Sequence, residues 1–305
     1  MPSPASSNAT CESLPDDVVL EWFAGNARDL PWRARDRTPW GVLVSEVMLQ
    51  QTPVARVLPV WREWIERWPD PLSLAAEPVS EAIRAWGRLG YPRRALRLHG
   101  AACAIVEHHG GRVPGGPEDL RALPGIGTYT AAAVAAFAFG SRQAVVDVNV
   151  RRVLARAVTG AAQPAASLSV AELRLAERLL PSRADRAVAW SAAVMELGAV
   201  VCTARSPSCG RCPLRGHCAW LAAGSPSRPA LARSAQPWLG TDRRVRGMIM
   251  AELRATREPV DLAALREAVP DGMLKDPAQR DRCLAGLVED GLVDPLPGDR
   301  FALPR

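Results

Sequence analysis

The chain has 305 residues, 48% of them hydrophobic and 23% charged, with a formal net charge of +6 at pH 7. It is long enough for one good core or two, and its composition is that of a soluble globular protein, not of a disordered, collagen-like or membrane-embedded one. The positive excess suits a polyanionic partner and is uneven: residues 241–305 hold 11 basic and 12 acidic residues, leaving 27 basic against 20 acidic, a net of +7, for the rest.

The first 15 residues are polar and rich in Ser and Pro and read as disordered. They have no basic start and no apolar stretch, so they are not a secretory signal, and no later apolar run reaches the length of a membrane span. From Asp16 onward apolar residues recur at three and four, broken by Pro, Gly and short polar turns. This periodicity predicts helices at 16–27, 39–50, 54–68, 78–86, 92–109, 117–122, 128–139, 149–158, 171–180 and 185–201. One β-like run, QAVVDV at 143–148, interrupts them, so the body at 16–222 is expected to be all-α. An Ala/Ser/Pro-rich stretch at 223–240 reads as a linker. Three helical segments near 241–255, 261–268 and 277–290 and a final hairpin signal then suggest a winged-helix module at 241–305. Its near-neutral charge favours packing or partner binding over DNA binding.

Four segments carry residues suited to chemistry. In SEVMLQQT (45–52), Glu46 lies early in a predicted helix, where a carboxylate favours the helix dipole and faces water unless it has a function. In LPGIGTYTA (123–131), Gly125 and Gly127 let the backbone turn and approach another surface, and the N–H groups of the helix starting near Thr128 point outward as a phosphate site. An ordinary corner between two helices fits as well. In VVDVNVRRVLAR (145–156), Asp147 stands just before a helix start, where it is an N-cap or something more. Finally, Cys202, Cys209, Cys212 and Cys218 are separated by six, two and five residues. Zinc sites usually show two close pairs; a single close pair with two outlying ligands favours a [4Fe–4S] cluster. The other cysteines, Cys11, Cys103 and Cys283, lie far apart and read as reduced thiols of a cytoplasmic, nucleoid-associated protein.

These segments together resemble the helix–hairpin–helix DNA glycosylases of the endonuclease III superfamily. The octapeptide around Glu46, LPWR (30–33), WGRLGYPRRALRLH (86–99) and MELGAVVC (195–202) resemble the MutY-type adenine DNA glycosylases, in the actinobacterial form with a short C-terminal region. The likeness spans roughly residues 16–222. It implies a six-helix barrel module plus an iron–sulfur module, double-stranded DNA with a mispaired adenine as the partner, and a monomer as the working form. The implied reaction is hydrolysis of adenine's N-glycosidic bond after the base is flipped out of the duplex. By the same resemblance, Glu46 donates the proton to the leaving base and Asp147 stabilises the oxocarbenium-like sugar. Gln51 and Tyr91 fill the gap, with Thr52 beside them at the DNA. Arg33 and Glu196 hold the adenine, and Tyr129 and Asn149 orient the sugar and the aspartate.

The only lysine is Lys275; the other 37 basic residues are arginine. Bifunctional relatives attack the sugar with a lysine where this chain has Tyr129, so a monofunctional enzyme is expected. Two departures from the family pattern stand near the site: Val148 follows the aspartate, and Pro92 replaces a second tyrosine. The 65-residue tail is too short for the domain that reads 8-oxoguanine in many relatives, which makes preference for 8-oxoguanine over guanine opposite the adenine a hypothesis. Two rival readings are a thymine or uracil mismatch glycosylase on the same scaffold, disfavoured by Glu46, and a non-catalytic iron–sulfur DNA-binding regulator, which has no use for two carboxylates.

Overall fold

Several helices begin where the sequence supplies a cap. The computed structural model describes residues 14–226 and 240–305. In chain order the helices are α1 (Asp16–Asn26), α2 (Pro39–Leu49), α3 (Val54–Arg67), α4 (Pro71–Ala75), α5 (Val79–Trp86), α6 (Arg93–His109), α7 (Pro117–Ala122), α8 (Thr128–Phe139), α9 (Val148–Leu154), α10 (Val170–Leu179), α11 (Ala184–Val200) and α12 (Ala219–Ala222). The tail adds α13 (Asp242–Ala255), strand β1 (Val260–Asp261), α14 (Leu262–Ala268), α15 (Gln279–Glu289), β2 (Asp294–Leu296) and β3 (Arg300–Ala302). Thr38 accepts the Gly41 N–H ahead of α2, with Pro39 at its first position. Asp70 with Ser73, and Ser169 with Glu172, form reciprocal capping boxes for α4 and α10. Each satisfies backbone donors that a helix start otherwise leaves open.

The chain divides into two compact units made of alternating sequence segments. The first comprises the described residues through Arg37, Gly115–Pro117 and the described residues from Gly127 to 226; the second comprises Thr38–Pro114, Glu118–Ile126 and the described residues from 240 onward. The expected body at 16–222 is thus shared between both units, and the tail module groups with the second. Most of the predicted linker, and most of the segment expected to be disordered, lie outside the described residues. Leu14, at the edge of the latter, is buried with Val19 in the core of the first unit.

That core gathers Val150, Val153 and Leu154 of α9 against Trp190, Val194 and Leu197 of α11. The β-like run at 143–148 forms no strand. Val145 and Val146 are buried outside any strand, so the apolar residues of the run serve packing and not a ladder. In the second unit Trp64 packs edge-on against Trp68 (4.7 Å) and Trp86 (5.8 Å), while the Trp40 indole donates to the Trp68 carbonyl at 3.0 Å. This places much of the chain's tryptophan in one buried cluster, where aromatic pairs favour edge-to-face contact. The tail combines its three helices with an antiparallel sheet ordered β1–β3–β2 in which Val260 and Pro295 flank Phe301. Among the described residues no helix is long and apolar enough to cross a membrane.

Candidate active site and cluster loop

In the first unit the most enclosed acidic group is Glu196, which α11 carries at 0% exposure. Arg28 grips it with a fork, Nε to Oε1 at 2.5 Å and Nη2 to Oε2 at 2.8 Å, and adds its own backbone N–H at 3.1 Å. Arg33 donates to Oε2 at 3.0 Å. Burial alone would raise the Glu196 carboxyl, but the Arg28 hydrogen bonds and the charges of Arg33 and Arg28 outweigh it and hold the group below the usual carboxylate range. Arg33 and Glu196, which the resemblance assigns to the adenine, are bonded to each other, with Arg28 as a third member.

Asp147 N-caps α9: Oδ1 accepts the Val150 N–H at 2.7 Å, and Oδ2 accepts from the Asn149 side chain at 2.8 Å. Burial raises its carboxyl above the ordinary range against the pull of those bonds and of Arg152. Asn149 in turn accepts from Arg152 Nη2 at 2.7 Å, and Arg152 donates to the carbonyls of Gly198 (2.6 Å) and Cys202 (2.7 Å). A continuous line of hydrogen bonds thus runs from the aspartate to the first cysteine. Gly198 makes room for it, because a Cβ there would lie 2.7 Å from Asn149. Tyr129 packs half-buried beside Ala133, Ala136 and Val145. Val148 is 62% exposed, so its branched side chain stays out of the core.

At the corner between α7 and α8 the two glycines differ. Gly125 has φ +77°, and a Cβ there would meet the Arg97 side chain at 2.6 Å, so only glycine fits. Gly127 has φ −90° and ψ 177°, extended backbone that any residue adopts, and its missing side chain leaves open space. The expectation that both glycines make the turn is corrected to Gly125 alone. Gly127 heads α8 without a side-chain cap, which leaves the first-turn N–H groups for an outside acceptor.

In the second unit Glu46 is the eighth residue of α2 and lies between buried Ser45 and Val47. At 6% exposure it does not face water from a first turn, and a carboxyl buried in so apolar a helix is costly to desolvate. Beyond the end of α2, Gln51 has φ +55°, and Tyr91 in the loop before α6 has φ +49°. Non-glycine residues seldom adopt this region, and then mostly at functional sites. Arg94 ties the two loops together. Its Nη1 donates to the carbonyls of Val47 (3.0 Å), Met48 (2.9 Å) and Gln50 (2.6 Å), and its Nη2 to Thr52 Oγ1 and the Gly90 carbonyl, both at 3.0 Å. No carboxylate shares these bonds, and burial lowers Arg94 to about 10.

The four cysteines border one small cavity in the first unit, together with Arg156, Pro207, Arg215 and Trp220. Among the described residues no three His, Cys, Asp or Glu side chains gather as closely as a single metal ion needs; the thiols instead surround a wider space with an all-sulfur donor set, which fits an iron–sulfur cluster. Arg156 donates to Cys202 Sγ at 3.4 Å and to the Thr203 carbonyl at 2.7 Å, and stacks 4.9 Å over Trp220. Burial pushes Cys212 up to about 11 and Cys218 also upward; bound iron is what turns such thiols into thiolates.

Residues 44–178 match the HhH-GPD superfamily of base excision DNA repair proteins, and residues 202–218 match the iron–sulfur binding domain of endonuclease III. The chain is 50% identical, over 95% of its length and 94% of the relative's, to the adenine DNA glycosylase of Mycobacterium tuberculosis. The chain belongs to the adenine DNA glycosylase family. The Mycolicibacterium smegmatis member is 51% identical over 93% of this chain and 94% of its own, so the family likeness includes the tail. A thermostable thymine-DNA glycosylase structure superposes with a TM-score of 0.60 at 28% identity, covering 68% of this chain and 95% of its own; that likeness is to the shared scaffold. As a member of the adenine DNA glycosylase family the chain is a DNA repair enzyme with a [4Fe–4S] cluster, and its iron–sulfur binding domain spans residues 202–218.

Proposed function

We propose that this protein excises adenine mispaired with 8-oxoguanine or guanine, as a monofunctional glycosylase acting as a monomer on duplex DNA. The observation that carries the choice among glycosylases on this scaffold is Glu46, a carboxyl buried within the otherwise apolar α2. In this reading Glu46 delivers a proton to the adenine ring, so the base leaves neutral and not as an anion. Asp147, kept anionic by the Val150 and Asn149 donors, faces the sugar and stabilises the positive charge left at C1′. Tyr129 and Asn149 orient the sugar and the aspartate. Glu196, permanently ionised between Arg28 and Arg33, offers fixed acceptors to the adenine's amino group. Gln51 and Tyr91 occupy the space the base vacates, which offsets an unstacking cost of a few kcal/mol. The amides at the start of α8 take phosphate.

The cluster, when bound, supplies structural cross-linking of the loop and no step of the hydrolysis; Arg205, Arg211 and Arg215 stand on that loop as phosphate partners. No lysine is available at the Tyr129 position, so strand cleavage requires a later step. The test is to incubate the purified protein with 8-oxoguanine:adenine, guanine:adenine and guanine:thymine duplexes and then heat with alkali. Nicks at the adenine in the first two, only after alkali, are expected. Nicks in the guanine:thymine duplex alone would replace this reading with the thymine one, and no nick in any duplex would leave the non-catalytic regulator.

A further inference from the structure

Tyr91 combines two features that a loop residue seldom keeps without support. It is a bulky aromatic in left-handed backbone, and it is 51% exposed. Two guanidinium groups lie over its ring, Arg94 at 5.5 Å and Arg243 at 5.7 Å from the centroid. Arg94 is the second residue of α6, three positions along the chain from Tyr91. Arg243 comes from the first turn of α13, in the tail.

The tail is fastened around this same loop. Arg254 donates to the Gly87 carbonyl at 2.7 Å, and Arg84 donates back to the carbonyls of Leu253 (3.2 Å) and Arg254 (2.7 Å) at the end of α13. Arg257 pairs with Glu81 at 3.2 Å, and Arg93, next to Arg94, pairs with Asp290 at 3.1 Å. Arg246 holds the other side of Asp290. These bonds bracket residues 87–93 from both ends, so α13 presents Arg243 to Tyr91 from a docked helix.

We propose that Arg243 is a positioning residue for Tyr91, and that through it the tail takes part in extruding the target base. A cation over an exposed aromatic face is weakly attractive, and its effect here is to hold the ring ready before DNA arrives, which lowers the ordering cost of binding. The role needs one arginine at a helix start and no basic surface, which accounts for a near-neutral tail beside the DNA-facing loop. The inference rests on the reading of Tyr91 as a gap-filling residue.

The experiment uses the full chain, with 2-aminopurine opposite guanine to report extrusion by fluorescence and a guanine:adenine duplex to report release in a single turnover. Arg243→Ala should lower both signals by roughly fivefold while affinity for undamaged duplex changes by less than about twofold. Arg243→Lys should recover most of the loss, since an ammonium also sits over an aromatic face. Combined with Tyr91→Ala, Arg243→Ala should add nothing. Cluster absorbance and thermal melting show that each variant is folded. Additive losses, an equal loss on undamaged DNA, or no loss overturns the proposal while the functional reading stands. A wild-type chain that releases no adenine, or a Tyr91→Ala variant with full extrusion, overturns the functional reading and this inference with it.

Discussion

The arginines around the candidate site residues of the two units take different partners. In the first, Arg28 and Arg33 converge on a carboxylate, Glu196, Arg152 backs Asn149, and Arg156 meets a cluster sulfur. In the second, Arg94 and Arg84 bond chiefly to backbone carbonyls. An arginine paired with a carboxylate fixes the charge state of that acid. An arginine bonded to carbonyls fixes the path of a loop; Arg94 does so through carbonyls and the Thr52 hydroxyl, while Arg84 also pairs with Glu81 at 3.5 Å. At these positions the first unit fixes the charge of an acid and the second fixes the path of a loop.

The contrast is broken or sharpened by a graded set of variants. Asp147→Asn keeps an N-cap, since asparagine caps as well as aspartate, but removes the charge. Single-turnover adenine release should fall by about 10³-fold with melting almost unchanged; a matched loss of stability would make Asp147 only a cap. Arg94→Met strands the Val47, Met48 and Gln50 carbonyls, and chemical denaturation should show a loss of about 3 kcal/mol. A neutral result there would mean that solvent satisfies those carbonyls and that the loop path has other determinants. Arg156→Ala removes a donor to the cluster sulfur, and cluster absorbance under a chelator should decay roughly tenfold faster. The smallest effect separates the two corner glycines: Gly127→Ala should change stability by less than about 0.5 kcal/mol while weakening DNA binding, because it fills open space at the head of α8.

Much of this was legible in the sequence where signals are local. The helices at 117–122 and 128–139 have the predicted bounds, because Pro, Gly and apolar spacing set them within a few residues. The five-residue α4 and four-residue α12 were not legible, since so short a helix shows no periodicity. The run at 143–148 reads as β-like because it is a short run rich in valine, a composition that a buried segment packed on a helical core also has. Arg28 was missed for a different reason. Its partner lies 168 residues away, and in a chain with 37 arginines nothing local distinguishes it. Arg94, Arg152 and Arg156 share that fate: their roles are set by which carbonyl or sulfur the fold brings near. Glu46 was placed early in the right helix, with a water-facing dipole residue as the plain alternative to a catalytic carboxyl; the full burial of α2 removes that alternative.

The central claim is that Glu46 and Asp147 divide the work of removing one adenine. It is tested most directly by single-turnover adenine release from a guanine:adenine duplex, followed against pH for the wild-type chain, Glu46→Gln and Asp147→Asn. Burial raises Asp147, so as pH falls through its elevated pKa the carboxylate is protonated and the rate should drop, at a pH above the ordinary carboxylate range. Asp147→Asn should lack that acid limb, and Glu46→Gln should release almost no adenine at any pH. Wild-type release by Glu46→Gln, with the acid limb in place, would contradict the account.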